Sequence, residues 1–170
     1  EDDNISEYSG NTTLFDVDTT YNNTGTYGLD AGTNVDQRTT NGIYRTGSLI
    51  AQGDTFRFFQ YVDATQEDEP CAFFGVGGSG ANYAVCLDQY PSEKVILAEN
   101  VTSNDGSGSV LSSTTVTYST GWYEVIVDWL TDNSITVTVY DENGTEFATT
   151  TATDSSRTSG GVGFGFWYQY

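Results

Sequence analysis

Histidine is missing from this 170-residue chain, and lysine and arginine together number five. The first absence removes Ser-His-Asp and Cys-His nucleophiles, imidazole zinc sites and histidine-based lyase chemistry. The few cations stand against 24 acidic residues, for a formal charge of -19. Such a field repels phosphate backbones and anionic lipid, so nucleic acid is not an expected partner. No apolar run approaches the ~20 residues that a bilayer helix requires, so no membrane insertion is expected either. Two cysteines are too few for a disulfide scaffold. Hydrophobic burial must therefore hold the chain together, and its length suits one domain over residues 1–170.

Helical periodicity is also lacking. The run Gly75 to Gly80 spells G-x-G-x-x-G, but that pattern binds a pyrophosphate only where a helix starts on the glycines and supplies its amides. Here Tyr83-Ala-Val-Cys-Leu follows, a β-favouring run. A hairpin fits instead, with strands Cys71 to Val76 and Tyr83 to Asp88 around a glycine-rich turn. Centring the turn between Gly78 and Ser79 sets Phe73 opposite Ala84 and Cys71 opposite Cys86, which predicts a disulfide and hence an oxidising, extracellular compartment.

Period-two alternation recurs in Thr55 to Val62, Trp122 to Trp129, Ile135 to Tyr140 and Gly161 to Trp167. Turn residues separate these strands: Thr131-Asp-Asn-Ser, and Asp141-Glu-Asn-Gly-Thr with its Asn-Gly pair. Short strands at regular spacing specify an all-β, two-sheet antiparallel β-sandwich. Residues 103–109, rich in Ser and Gly, are expected to form a loop within the domain.

Alternation also assigns faces. Phe56, Phe58 and Val62 point inward, as do Tyr123, Val125, Val127 and Trp129. In the hairpin the inner set is Ala72, Phe74, Val76, Tyr83, Val85 and Leu87. Outward lie Arg57, Phe59, Tyr61, Phe73, Trp122 and Glu124, more aromatic surface than a solvated sheet normally carries. Rings to stack a pyranose, flanked by groups that take its hydroxyls, are what a polysaccharide or other glycan partner requires. Glycoside hydrolysis is not expected. Glu124 and Asp128 stand about 13 Å apart along one strand at ~3.3 Å per residue, beyond the ~5–9.5 Å that such mechanisms use.

The blocks Asp3-Asn-Ile-Ser-Glu-Tyr-Ser-Gly, Tyr27-Gly-Leu-Asp, Gly53-Asp-Thr-Phe-Arg-Phe, Asn82-Tyr-Ala-Val-Cys-Leu-Asp, Gly121-Trp-Tyr-Glu-Val-Ile-Val-Asp-Trp and Ser159-Gly-Gly-Val-Gly-Phe extend over nearly the whole chain. Together they resemble the laminin G-like, concanavalin A-like jelly rolls of secreted and surface proteins from salt-loving archaea. The resemblance implies a jelly roll that binds carbohydrate and carries a structural calcium. Such domains usually close with a further strand after the Gly-x-Gly-Phe block, whereas this sequence stops at Tyr170. That departure raises an alternative, an adhesive or filament unit whose open edge near Gly161 to Tyr170 is completed by another copy of the chain.

Hard oxygen ligands make calcium the expected ion, with Asp2, Asp3, Asp16, Asp18 and Asn23 of the Asn22-Asn23 turn as candidate ligands. Five N-x-[ST] sequons, at Asn4, Asn11, Asn22, Asn100 and Asn143, point to a secreted glycoprotein, as does a chain that reads as a processed segment beginning at Glu1. The charge itself suits concentrated salt, where screening quiets repulsion among carboxylates. Thermal unfolding is therefore expected to shift upward as sodium chloride rises into the molar range. A melting temperature that stays flat or falls contradicts the salt-adapted reading.

Overall fold

The computed structural model describes residues 5–10, 12–13, 15–19, 23, 28–30, 42–66, 69–79, 81–89, 91–102 and 107–166. All regular structure among them is β. The larger sheet has seven strands in the order β1 (Ser9–Gly10), β4 (Gly42–Ala51), β13 (Ser159–Phe166), β6 (Pro70–Val76), β7 (Tyr83–Asp88), β8 (Lys94–Thr102) and β9 (Ser107–Thr115). The smaller has four, β12 (Glu146–Thr153), β11 (Ser134–Tyr140), β10 (Gly121–Trp129) and β5 (Thr55–Val62). A separate pair joins β2 (Asp16–Asp18) to β3 (Gly28–Asp30). Every pairing between these strands is antiparallel, giving the β-sandwich that the strand pattern predicts.

The core lies between the sheets and follows the alternation. Tyr123, Val125, Val127 and Trp129 of β10, with Ile135, Val137 and Val139 of β11, face Phe74, Tyr83, Val85, Leu87, Val95 and Leu97 across the gap. At its centre Trp129 meets Phe74 and Tyr83 edge-on, with centroids 5.6 Å away in each case. This geometry suits the ring quadrupoles, and burying each large side chain contributes about 2–3 kcal/mol. The indole Nε1–H of Trp129 is buried with no acceptor among the described residues, a cost of about 1–3 kcal/mol that the surrounding packing offsets.

The hairpin register is as the turn predicts: Cys71 pairs with Cys86 and Phe73 with Ala84. Cys71 and Cys86 form a disulfide that closes a separation of 15 residues. A loop of that size contributes about 3 kcal/mol by the chain-entropy estimate.

Four expectations need correction. Val76 does not join the inner set. Gly75 adopts φ 61° and is an extra residue opposite the Gly161–Val162 step, a bulge that reverses parity and turns Val76 to the other face. Trp129 packs against this bulge, for a Cβ at Gly75 comes within 3.2 Å of its ring. Second, Phe73 is not on an open surface. It is 5% exposed, packed with Cys71, Val76, Ala84, Cys86, Ile96, Ala98 and Val101 in a second apolar layer on the outer side of the larger sheet.

Third, Ser107-Gly108-Ser109 is strand, not loop: β9 begins at Ser107 and pairs with β8. Fourth, β13 is no open edge over Gly161 to Phe166, while 167–170 of that expected edge lie outside the described residues. It runs between β4 and β6, paired with both. Its glycines permit this, since a Cβ on Gly163 falls 2.4 Å from the Ile43 carbonyl oxygen and one on Gly160 falls 2.3 Å from the Gly75 backbone. On the far side of the sandwich, side chains join edges β9 and β12: Thr114 Oγ1 donates to the Thr149 carbonyl and Thr150 Oγ1 to Ser112 Oγ, each at 2.7 Å.

Candidate functional site

Pairing of β5 with β10 collects most of the outward residues on one surface, the solvent side of the four-stranded sheet. Tyr61 lies opposite Trp122, Phe59 opposite Glu124 and Arg57 opposite Ile126. On the other flank of β10, Glu124 faces Tyr140. Beyond it β11 and β12 contribute Thr136, Thr138, Thr149 and Thr151 in register, a polar continuation of the same face.

The rings of Tyr61 and Trp122 are 5.5 Å apart at 67°, so the platform is a bent pair. Phe59 is 37% and Tyr61 38% exposed, and Trp122 is half-buried. Both Nε and Nη2 of Arg57 donate to one oxygen of Glu124. The Arg57 side chain is 61% exposed and that of Glu124 18%, so screening holds the pair to about 0–1 kcal/mol of stability. Asp128 accepts a 2.6 Å bond from Thr55. Phe73, placed with this group from sequence, sits on the other sheet within the second apolar layer.

At the Trp122 end the face continues into a cleft of about 230 Å³ lined by Thr120, Gly121, Trp122, Asp141, Glu142 and Asn143, among others. The β11–β12 turn forms one wall. Asp141 caps it by accepting the amides of Asn143 and Thr145, each at 2.9 Å, and Gly144 takes the φ of 75° that closes it. At the floor, Tyr123 exchanges bonds with the backbone of Ser119. Burial, and then the carboxylates Asp141, Glu93 and Glu142, push its hydroxyl above the usual tyrosine range against the Ser119 hydrogen bond.

The candidate calcium ligands are not assembled among the described residues. Asp2 and Asp3 lie outside them, Asp16 and Asp18 are the ends of β2, and Asn23 is exposed. No group of three or more His, Cys, Asp or Glu able to hold a metal occurs among the described residues. Of the sequons, Asn4, Asn11 and Asn22 lie outside the described residues, Asn143 is exposed in its turn, and Asn100 lies within β8 with its side chain engaged by Arg157.

Residues 79–169, more than half of the chain, match the family described as SO2946-like, C-terminal domain. The chain belongs to that family. No curated protein matches it. Among solved structures, the CBM2 module of the evolved Dit of Lactobacillus casei BL23 phage J-1 is 14% identical, with a TM-score of 0.43 over 74% of this chain and 61% of that one. The protein of unknown function SO2946 from Shewanella oneidensis MR-1 is 12% identical, with a TM-score of 0.35 over 76% of this chain and 80% of that one. The chain thus spans less than two thirds of the first of these. The SO2946-like region begins in the β6–β7 turn, so it contains Trp122 and Glu124, while Arg57, Phe59 and Tyr61 precede it.

Within the SO2946-like region lies a polar cluster that sequence reading missed. The Tyr83 hydroxyl donates to Asp154 Oδ1 at 2.5 Å and lies 3.2 Å from Ser156 Oγ. Arg157 lies 5.3 Å from the centre of the Tyr83 ring and donates to Asn100 Oδ1 at 2.5 Å and Ser156 Oγ at 3.0 Å. Ser156 and Arg157 are neighbours, but Tyr83 and Asn100 lie 57 to 74 residues from their partners in Asp154 to Arg157, so no local spacing signals the cluster. The cluster is a strut binding the β12–β13 loop to β7 and β8. Tyr83 is unsuited to act as a base there, since burial, and then Asp154, push its hydroxyl up.

Burial acts to raise Asp154, but bonds from Ser156 and Tyr83 and the charge of Arg157 outweigh it and hold the carboxyl below its ordinary 3.8. A depressed carboxylate lends stability that is present above its unfolded-state pKa and lost as pH falls through the folded-state value. The native protein is therefore expected to melt above Asp154→Asn near neutral pH, with the gap shrinking below about pH 4. A gap that is constant across an acid titration of melting temperature contradicts this role.

Proposed function

We propose that this domain is a non-catalytic carbohydrate-binding module of a secreted or cell-surface protein, and that its glycan lies on the outer face of the four-stranded sheet. The observation that carries this reading is the Tyr61–Trp122 ring pair beside Phe59, on strands whose inward positions already complete the core. Folding does not require rings there, whereas the apolar face of a pyranose gains from stacking on them. The two rings meet at 67°, so one carries the stacked sugar and the other bounds its edge. Arg57, Glu124 and the threonine rows lie within the same face to take hydroxyls. Calcium has no part in this reading of the sheet.

Secretion is supported by the Cys71–Cys86 disulfide. The acidic charge and the laminin G-like blocks keep a surface protein of a salty habitat as the proposed source. Completion by a neighbour's strand loses its motive, because Gly161 to Phe166 already has strands on both sides. A hydrolase is disfavoured on the face itself, where Glu124 is tied to Arg57 and Asp128 to Thr55.

Replacing Trp122 or Tyr61 by Ala is expected to cost about 1–3 kcal/mol of glycan affinity, the scale of an aromatic anchor, with little change in unfolding. Calorimetric titration with a polysaccharide found by screening, paired with thermal unfolding of the same variants, checks both halves. Destabilisation by several kcal/mol in both variants shows the rings to be core and removes the reading.

A further inference from the structure

Arg57 is the single Lys or Arg on the four strands of the smaller sheet. Arg45 and Lys94 belong to the larger sheet, and Arg157 is engaged at Asn100 and Ser156. The guanidinium of Arg57 is mostly exposed, yet two of its nitrogens converge on one oxygen of Glu124. Glu124 is held in place, half-buried between Phe59 on β5 and Tyr140 on β11. Among the described residues the aromatic face therefore presents no uncompensated positive charge, and Asp128, Glu142 and Glu146 lie on or beside it.

We propose that Glu124 is a specificity-determining residue that neutralises Arg57 and restricts this face to uncharged glycans, excluding uronate and sulfated chains; the inference rests on the reading of the face as a glycan site. An uncharged hydroxyl accepts a bond from a paired guanidinium at little cost, because the free donors of Arg57 remain open to it. A sugar carboxylate needs the net positive charge that Glu124 cancels, and it meets the field of the neighbouring acids. Removing the Glu124 charge while keeping its shape frees Arg57 as a fork for a carboxylate.

The experiment measures affinities for matched neutral and acidic chains of one linkage, β-1,4-glucan against β-1,4-glucuronan and mannan against polymannuronate. At low ionic strength the native protein is expected to hold a neutral chain at least about tenfold more tightly than its uronate partner, with the gap narrowing as salt rises. Glu124→Gln is expected to raise uronate affinity about tenfold and so to close the gap between a neutral chain and its uronate partner. Adding Arg57→Gln to it reverses the gain. The comparison within the native protein stands even where a variant does not fold. Equal binding of a neutral chain and its uronate partner by native protein overturns the charge restriction alone. A Glu124→Gln variant that folds, binds the neutral chain and gains nothing for uronates overturns the role of Glu124. Failure of native protein to hold any of the four chains overturns this inference together with the glycan reading.

Discussion

The contact of Trp129 with Phe74 and Tyr83 bridges the two sheets, and the layout of the molecule follows from it. Trp129 lies at one end of β10, and period two then carries Val127, Val125 and Tyr123 into the same gap. The intervening residues, Trp122, Glu124, Ile126 and Asp128, are committed to the other side. A strand cannot send its rings to both faces by slipping, because a one-residue slip exposes the whole inner set. The aromatic outer face is thus a consequence of how firmly β10 is held from within.

The same bridge explains where glycine is needed. Gly75 passes beneath Trp129 in a left-handed conformation, and the bulge it makes lets β6 bend while still pairing with β13. The glycines of β13 allow its backbone to run close to β4 and β6, which seals the larger sheet at its middle. The second apolar layer, around the Cys71–Cys86 disulfide, lies on the outer side of this sealed region.

What the sequence conveys and what it hides divide along physical lines. The Cys71–Cys86 pairing was legible because a turn centre fixes every partner in a hairpin, and the inner faces of β5 and β10 because alternation there is unbroken. Val76 was not, since one extra residue at Gly75 reverses parity and depends on a partner strand 85 or more positions away in the chain. For Phe73 the face was right and the surroundings wrong: period two says which way a ring points, not which sheet it joins or what covers it. Gln60 lies on the inward side of β5 and is buried with its Oε1 unpaired among the described residues; the inward set of Phe56, Phe58 and Val62 read from the sequence passes over it. The Tyr83–Asp154–Arg157 strut joins distant segments and left no local trace.

The central claim is that Trp122, and not the core, receives the ligand. The chain contains three tryptophans, and Trp129 is an internal reference, fully buried on the opposite side of the same strand. The direct measurement is the indole N–H resonance of each tryptophan in a ¹H–¹⁵N spectrum, followed through titration with a neutral oligosaccharide that the protein retains. A saturable shift at Trp122 with Trp129 unmoved is the predicted result. Binding of the oligosaccharide that leaves the Trp122 indole unchanged contradicts the account.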